Sequence, residues 1–351
     1  MNRNRLFAIL VLPLMLSPVS ANAQQAVRQH YAGRYERVTV HGPTLVGNLD
    51  GDSADREVSI YLPPAYAKQT KRRFPVLYLL HGFTDSDGRW FGLEGAHFVH
   101  VPKAVDAAYA AGLGEMIVVM PNAFTKFEGS MYSSSIAIGD WETFITRDLV
   151  TFMDTHYRTL AKRESRGLAG HSMGGYGVLR LGMKAPGVFS ALYAMSPCCL
   201  APNPQSDPQM FARAATVRTA QDIAAADFMT KAMLASAAAW SPNPKNPPLY
   251  INLPVSDGQL RPEVLAEWTA NAPLAMLHQY LPALKSYRGL AFDAGDQDQP
   301  IASTVERLHE LLSGYGLQHE FEIYPGDHVN RIDKRLTTKV LPFFGSRLAT
   351  R

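Results

Sequence analysis

The chain of 351 residues holds only two cysteines, and they are neighbours, Cys198 and Cys199. Adjacent residues rarely meet disulfide geometry without distorting the backbone, so no disulfide framework holds this protein and the pair reads as two buried or half-buried thiols. Surplus charge of one sign is also missing: 34 Lys and Arg face 31 Asp and Glu, a net charge of +3. That balance argues against nucleic acid or a strongly charged polymer as partner. No apolar run approaches the roughly 20 residues that a bilayer span requires, so stable membrane insertion is not expected. Internal repeats and low-complexity segments are absent. His97 and His100 are spaced like a metal pair, but no third ligand accompanies them. Asp50, Asp52 and Asp55 lack the later glutamate of a calcium loop and read as a turn. Neither a metal nor a cofactor is expected.

The first residues carry a processing signal. Arg3 and Arg5 precede a short apolar stretch, Leu6 to Leu16, broken by Pro13, and Ala21-Asn22-Ala23 is a small-residue cleavage site. Cleavage between Ala23 and Gln24 is expected, which assigns 1–23 to a signal peptide, 24–351 to one catalytic domain, and the protein to the periplasm or the exterior. Loss of the two arginines lowers the net charge to +1.

Two strand-like runs, Arg37 to His41 and Glu57 to Leu62, open the mature chain. From Phe74 onward, continuous apolar runs alternate with helical spacing. Phe74–Leu80, Met116–Met120, Ser165–Ala169, Phe189–Met195, Gly289–Ala294 and Glu320–Tyr324 read as strands, most of them buried on both faces. Val101–Ala111, Trp141–His156, Tyr176–Met183 and Thr304–Leu312 read as helices. Repeated βα units predict an α/β fold with a mostly parallel central sheet and helices on both faces. Between about 200 and 284 the rhythm breaks. An Ala-rich helical stretch, Met210 to Ala239, is followed by a loop with Pro242, Pro244, Pro247 and Pro248, then by a helical piece from Pro262 to Leu277. This insertion is expected to cap the site.

The chemistry is concentrated in Gly170-His171-Ser172-Met173-Gly174, a G-x-S-x-G run between a strand and a helix. Such an elbow exposes the serine Oγ and aims helix N–H groups at the place where negative charge develops. Acyl transfer also needs a base, an orienting acid and a second N–H donor. Met173 supplies one donor. Leu79-Leu80-His81-Gly82-Phe83 follows a buried strand, which points to the Phe83 N–H as the other, with His81 as a structural histidine. The base falls in Tyr324-Pro325-Gly326-Asp327-His328. The acid falls in Gly289 to Asp298, where Asp293, Asp296 and Asp298 remain open on spacing alone.

The motifs Leu80-His81-Gly82-Phe83, Gly139-Asp140-Trp141-Glu142, Asp148 to Tyr157 and Gly167 to Gly177 resemble the esterase D–type branch of the α/β-hydrolases, which includes feruloyl esterases. The likeness runs from about Glu57 to Phe344. It implies an α/β-hydrolase fold and, three residues past the strand-terminal Gly295, Asp298 as the acid. The order Ser172, Asp298, His328 is that of the fold. The family's Pro-Gly-Gly-His turn has Asp327 in place of its second glycine here.

The expected activity is hydrolysis of an ester of aryl, feruloyl, acetyl-sugar or lactone type through an acyl-enzyme, on a small-molecule or oligosaccharide substrate. An acyltransferase and a non-catalytic binding protein on the same fold are the alternatives. Trp141, Trp240, Trp90, Tyr132 and Tyr250 are the expected pocket walls. Oligomeric state is left open.

Overall fold

The structure, a computed structural model, describes residues 31–201, 208–256 and 258–351. The expected signal segment and its cleavage site lie outside the described residues.

Eight strands form one sheet: β1 (Arg34–His41), β2 (Asp55–Leu62), β3 (Val76–Leu80), β4 (Ile117–Pro121), β5 (Arg166–His171), β6 (Ala191–Met195), β7 (Gly289–Gly295) and β8 (Glu320–Tyr324). Their order is β1-β2-β4-β3-β5-β6-β7-β8. β1 pairs antiparallel with β2, and β2 antiparallel with β4; every pairing from β4 to β8 is parallel. The central strands are apolar throughout because both faces are covered. All five residues of β3, β4 and β6 are buried. Side chains alternate between faces, so Val76, Tyr78 and Leu80 enter one core while Leu77 and Leu79 enter the other.

The longer helices are α1 (Val101–Ala110), α2 (Leu149–His156), α3 (Met173–Lys184), α4 (Pro208–Ala214), α5 (Ala220–Ala225), α6 (Phe228–Trp240), α7 (Pro262–Ala270), α8 (Pro273–Lys285), α9 (Ile301–Gly314) and α10 (Leu341–Arg347). α2, α3 and α9 pack on the first face; α1 and α10 pack on the second. Helices α4 to α8 occupy the interval between β6 and β7. The helical stretch expected over Met210–Ala239 is divided into three helices. Thr219 forms a capping box with Asp222, and Asp227 caps α6 by accepting the Thr230 N–H; both restart the helix. Pro273 likewise splits the piece expected from Pro262 to Leu277, since the residue before proline avoids the α region. The loop that joins the antiparallel pair β1 and β2 carries a 3₁₀ turn at Pro43–Leu45 ahead of the Asp50–Asp52 segment.

β3 and β5 are neighbours, yet the chain leaves β3 toward β4 on one side and β5 toward β6 on the other. That divergence opens a crevice at the carboxyl ends of these two strands, where ligands bind in open α/β sheets.

Candidate active site

Ser172 stands at that crevice, directly after β5 and before α3, with φ 56° and ψ −114°. A non-glycine residue held there is strained, and surrounding contacts must enforce it. Its N–H donates to the Met195 carbonyl at 3.0 Å, and its own carbonyl accepts the Tyr176 N–H at 2.9 Å. Two glycines permit the turn. A Cβ on Gly170 would lie 2.4 Å from the Gly174 oxygen, and one on Gly174 only 2.1 Å from the Leu80 oxygen. Helix α3 therefore starts almost in contact with β3, which leaves no room for side chains at these two positions.

His328 comes from the turn after β8. Its Nε2 is 2.9 Å from Ser172 Oγ, and its Nδ1 is 2.7 Å from Asp298 Oδ2. Three residues separated by up to 156 positions thus form one hydrogen-bonded line. Asp298 is 8% exposed, and its N–H donates to the Gly295 carbonyl at 3.1 Å. The other two aspartates of this segment do different work. Asp293 is fully buried below the site, where it accepts from Tyr193 Oη at 2.7 Å and from Arg335 Nε at 2.7 Å. Burial pushes its carboxyl pKa up, against the pull of Arg335. Asp296 is exposed and accepts the Gly326 N–H at 3.0 Å, which ties the histidine turn to the acid loop. Asp327, in place of the family's glycine, caps the same turn: its Oδ1 accepts the N–H groups of Val329 and Asn330, both at 2.8 Å. Those bonds hold its carboxyl below the ordinary value.

His171 is a contact that sequence reasoning passed over. Its side chain points away from Ser172 Oγ, toward Trp90 and Phe98. Its Nε2 lies 2.8 Å from the His328 carbonyl oxygen and its ring centroid 4.7 Å from that of His328. A carbonyl only accepts, so Nε2 carries the proton. Burial lowers the His171 pKa to about 3, and the neighbouring His328 adds to the effect. A neutral ring therefore supports the catalytic candidate from below. His81 is structural as expected: its Nε2 accepts the Ala123 N–H at 2.8 Å and its Nδ1 donates to the Gly82 carbonyl at 2.8 Å.

For the oxyanion, Met173 is the first residue of α3, so its N–H has no carbonyl one turn back within the helix. Phe83 follows β3 by three residues. A Cβ on Gly82 would sit 3.5 Å from Ser172 Cβ, so the backbone leading to Phe83 passes close beside the nucleophile.

Beside the triad lies a cavity of about 440 Å³. Cys199, Met229, Met233, Trp240, Trp268 and Ile301 give its walls their character, and among the described residues no charged side chain lines it. Cys199 adjoins the loop whose Cys198 N–H donates to the Ser172 carbonyl at 3.2 Å, and Pro300 brings the wall to within two residues of Asp298. The two thiols are free, with sulfurs 2.8 Å apart; the Cys199 contact and, after it, burial push the Cys198 pKa up.

Of the five expected pocket walls, only Trp240 lines this cavity. It is 9% exposed and meets Tyr176 and Trp268 at ring distances of 5.5 and 5.3 Å. The other four do not line it. Trp90 is fully buried beneath His171 and donates from Nε1 to Asp85 at 2.6 Å. Trp141 is buried and donates to the Ile138 carbonyl, with the Arg56 guanidinium 5.0 Å over its ring. Tyr132 is buried and donates to the His81 carbonyl. Tyr250 is half-buried in the turn after the proline-rich loop, outside the cavity. Each pairs its polar atom or its face with the core, which is why an aromatic residue near a motif need not face substrate. Cys199, Met229, Met233, Trp268 and Ile301 line the cavity without being among the five expected walls.

Among the described residues no group of three His, Cys, Asp or Glu is arranged to hold a metal ion, and no helix is long and apolar enough to cross a membrane.

The sequence profile of the family described as "Putative esterase" matches residues 53–332, and the chain belongs to that family. It is 33% identical to an esterase of Mycobacterium tuberculosis over 136 residues, 38% of this chain and 27% of that protein. It is 29% identical to an endo-1,4-beta-xylanase/feruloyl esterase of Xylanibacter ruminicola over 158 residues, 43% of this chain and 21% of that protein. The chain thus spans about a quarter of the length of these curated relatives. Among solved structures, a ferulic acid esterase superposes with a TM-score of 0.65 at 20% identity, covering 91% of this chain and all of the other. A fluorophosphonate-binding serine hydrolase of Staphylococcus aureus superposes with a TM-score of 0.60 at 18% identity, covering 89% of this chain and 98% of the other. These two likenesses are of fold.

Proposed function

We propose that this protein is a serine carboxylesterase, exported after cleavage between Ala23 and Gln24, that hydrolyses esters whose acyl group is apolar and of moderate size. The observation that carries the reading is the Ser172–His328–Asp298 line, at 2.9 and 2.7 Å, on a serine held at positive φ.

Ser172 Oγ attacks the ester carbonyl carbon while His328 Nε2 accepts its proton. Asp298 fixes the proton on Nδ1, so that Nε2 presents its lone pair, and stabilises the imidazolium that forms. The N–H groups of Phe83 and Met173 hold the oxyanion. His328 then returns the proton to the leaving alkoxide, and the acyl group stays on Ser172. Water deacylates the serine by the same steps reversed. The His328 side chain is 35% exposed, which gives that water an approach.

The apolar cavity next to Cys199 and Pro300 favours an alkyl or aryl acyl group over acetyl, because a bare acetyl would leave most of its walls unpartnered. The feruloyl esterase activity named for the Xylanibacter relative supports the aryl version of this reading.

The test is twofold. Ser172→Ala should abolish labelling by a fluorophosphonate and reduce turnover of 4-nitrophenyl and methyl hydroxycinnamate esters to background, with thermal stability retained. Undiminished hydrolysis by Ser172→Ala would overturn the proposal. An intact mass of the exported protein that includes residues 1–23 would overturn the cleavage site.

A further inference from the structure

Helix α6 does more than wall the cavity. Its first turn projects beyond the fold: Phe228 and Met229 are 58% and 52% exposed. Yet it touches the crevice at two points. The Phe228 ring meets the Phe83 ring edge-on, with centroids 5.5 Å apart. One turn in, Lys231 Nζ lies 2.7 Å from Glu128 Oε1, with both side chains less than one-fifth exposed. Such a shielded pair is screened far less than a surface one.

Glu128 is an unusual partner. It sits at φ 63°, a left-handed conformation that disfavours a residue with a Cβ. In that conformation its carbonyl accepts the N–H of Thr84 at 3.0 Å. Thr84, itself at φ 60°, directly follows Phe83. The next residue, Gly129, threads between both oxyanion candidates: a Cβ there would fall 2.6 Å from a Phe83 ring carbon and 2.7 Å from Met173 Sδ. One short loop therefore sets the register of both donors, and its strained residue is clamped by a lysine 103 positions away.

We infer that Lys231 is a positioning residue for the oxyanion hole: by clamping Glu128 in its left-handed conformation it holds Thr84, and through it the Phe83 N–H, at the geometry that binds the developing oxyanion, while Phe228 braces the Phe83 side chain. This rests on the serine esterase reading above. Released from Lys231, Glu128 relaxes toward negative φ, its carbonyl turns away from Thr84, and the Phe83 donor loses its aim. Displacement of about 1 Å costs as much as 100-fold in rate, and complete loss of one donor costs about 100- to 1,000-fold. The expected loss is about 10- to 100-fold.

The experiment uses 4-nitrophenyl acetate, whose acyl group is too small to depend on the cavity walls, with wild type, Lys231→Met, Lys231→Arg, Glu128→Gln and Phe228→Ala. Lys231→Met and Glu128→Gln should lose about 10- to 100-fold in kcat with KM changed less than about threefold. Affinity for a trifluoromethyl ketone, which forms the oxyanion adduct on Ser172, should weaken by the same factor as kcat/KM. Lys231→Arg should restore most of the rate, and Phe228→Ala should show a smaller loss of the same kind. Unfolding temperatures are recorded for all variants. Unchanged kcat in Lys231→Met, or a change confined to KM, overturns the inference, as does a loss of rate without a matching loss of trifluoromethyl ketone affinity. Wild type that hydrolyses the ester and labels at Ser172 while Lys231→Met matches it defeats only the positioning role. An active Ser172→Ala defeats the esterase reading itself.

Discussion

Asp293, Asp296 and Asp298 lie within six residues, and each should fail in its own way when changed to asparagine. Asp298→Asn removes the acceptor that fixes the His328 tautomer. The amide turns an N–H or a weaker oxygen toward Nδ1, the proton shifts to Nε2, and Nε2 then faces Ser172 Oγ as a donor that cannot accept its proton. The imidazolium of the transition state also loses its counter-charge. The expected loss is about 1,000- to 10,000-fold in kcat, with little change in KM or stability. Asp293→Asn strikes below the site. Arg335, whose side chain is 8% exposed, keeps Glu322 at 3.0 Å but loses its buried partner at 2.6 Å. Breaking such a pair costs about 3–5 kcal/mol, and the surviving Glu322 contact places this case at the lower end, about 3 kcal/mol. For a chain of this size that is about 4 °C in unfolding temperature. Well below the lowered transition, kcat should stay within a few-fold of wild type. Asp296→Asn keeps an acceptor for the Gly326 N–H and should change neither quantity appreciably. Steady-state kinetics on a 4-nitrophenyl ester, paired with thermal unfolding of each variant, separates the three. Retention of more than a tenth of kcat in Asp298→Asn, or a kcat collapse in a fully folded Asp293→Asn, would refute the assignment of the acid.

Two further outcomes follow from other parts of the structure. Trp240→Ala removes the aromatic wall of the cavity and should lower kcat/KM for hydroxycinnamate or longer acyl esters, relative to acetate, by about 1–3 kcal/mol in discrimination; an equal shift for all esters would make Trp240 core alone. Asp50 is half-buried, with both carboxylate oxygens shielded and neither meeting a hydrogen-bond partner among the described residues, and burial, with Asp52 adding to it, raises its pKa to about 7. The folded state thus holds this proton more tightly than the unfolded chain, so stability declines as pH rises from about 4 through 7. Asp50→Asn should stabilise the protein by about 1–2 kcal/mol at pH 8, discounted for the partial exposure of the side chain, and by almost nothing at pH 4; denaturant unfolding at the two pH values checks this, and a larger gain at pH 4 would contradict it.

Much of this protein is legible in its sequence, for a local reason. Strands covered on both faces are apolar throughout, so β3, β4 and β6 announce themselves as runs. A strand-to-helix elbow needs its small residues within five positions, so Ser172 is visible with its context, and the histidine turn stands at the end of the last strand. Helix boundaries in the insertion were also locally encoded, by Thr219, Asp227 and Pro273, and are recoverable from capping chemistry. What only the tertiary structure decided depends on pairings across long separations. Spacing alone left three aspartates open, and the difference between Asp293 and Asp298 is the position of Arg335, 42 residues away from the first, and of His328, 30 residues from the second. Trp90, Trp141, Tyr132 and Trp240 have equal claims as pocket walls by composition; the direction in which each indole or ring faces depends on packing against distant elements. The Lys231–Glu128 clamp carries no sequence signature, because a lone lysine on one helix and a lone glutamate in one loop acquire a joint role only when the fold places them 2.7 Å apart.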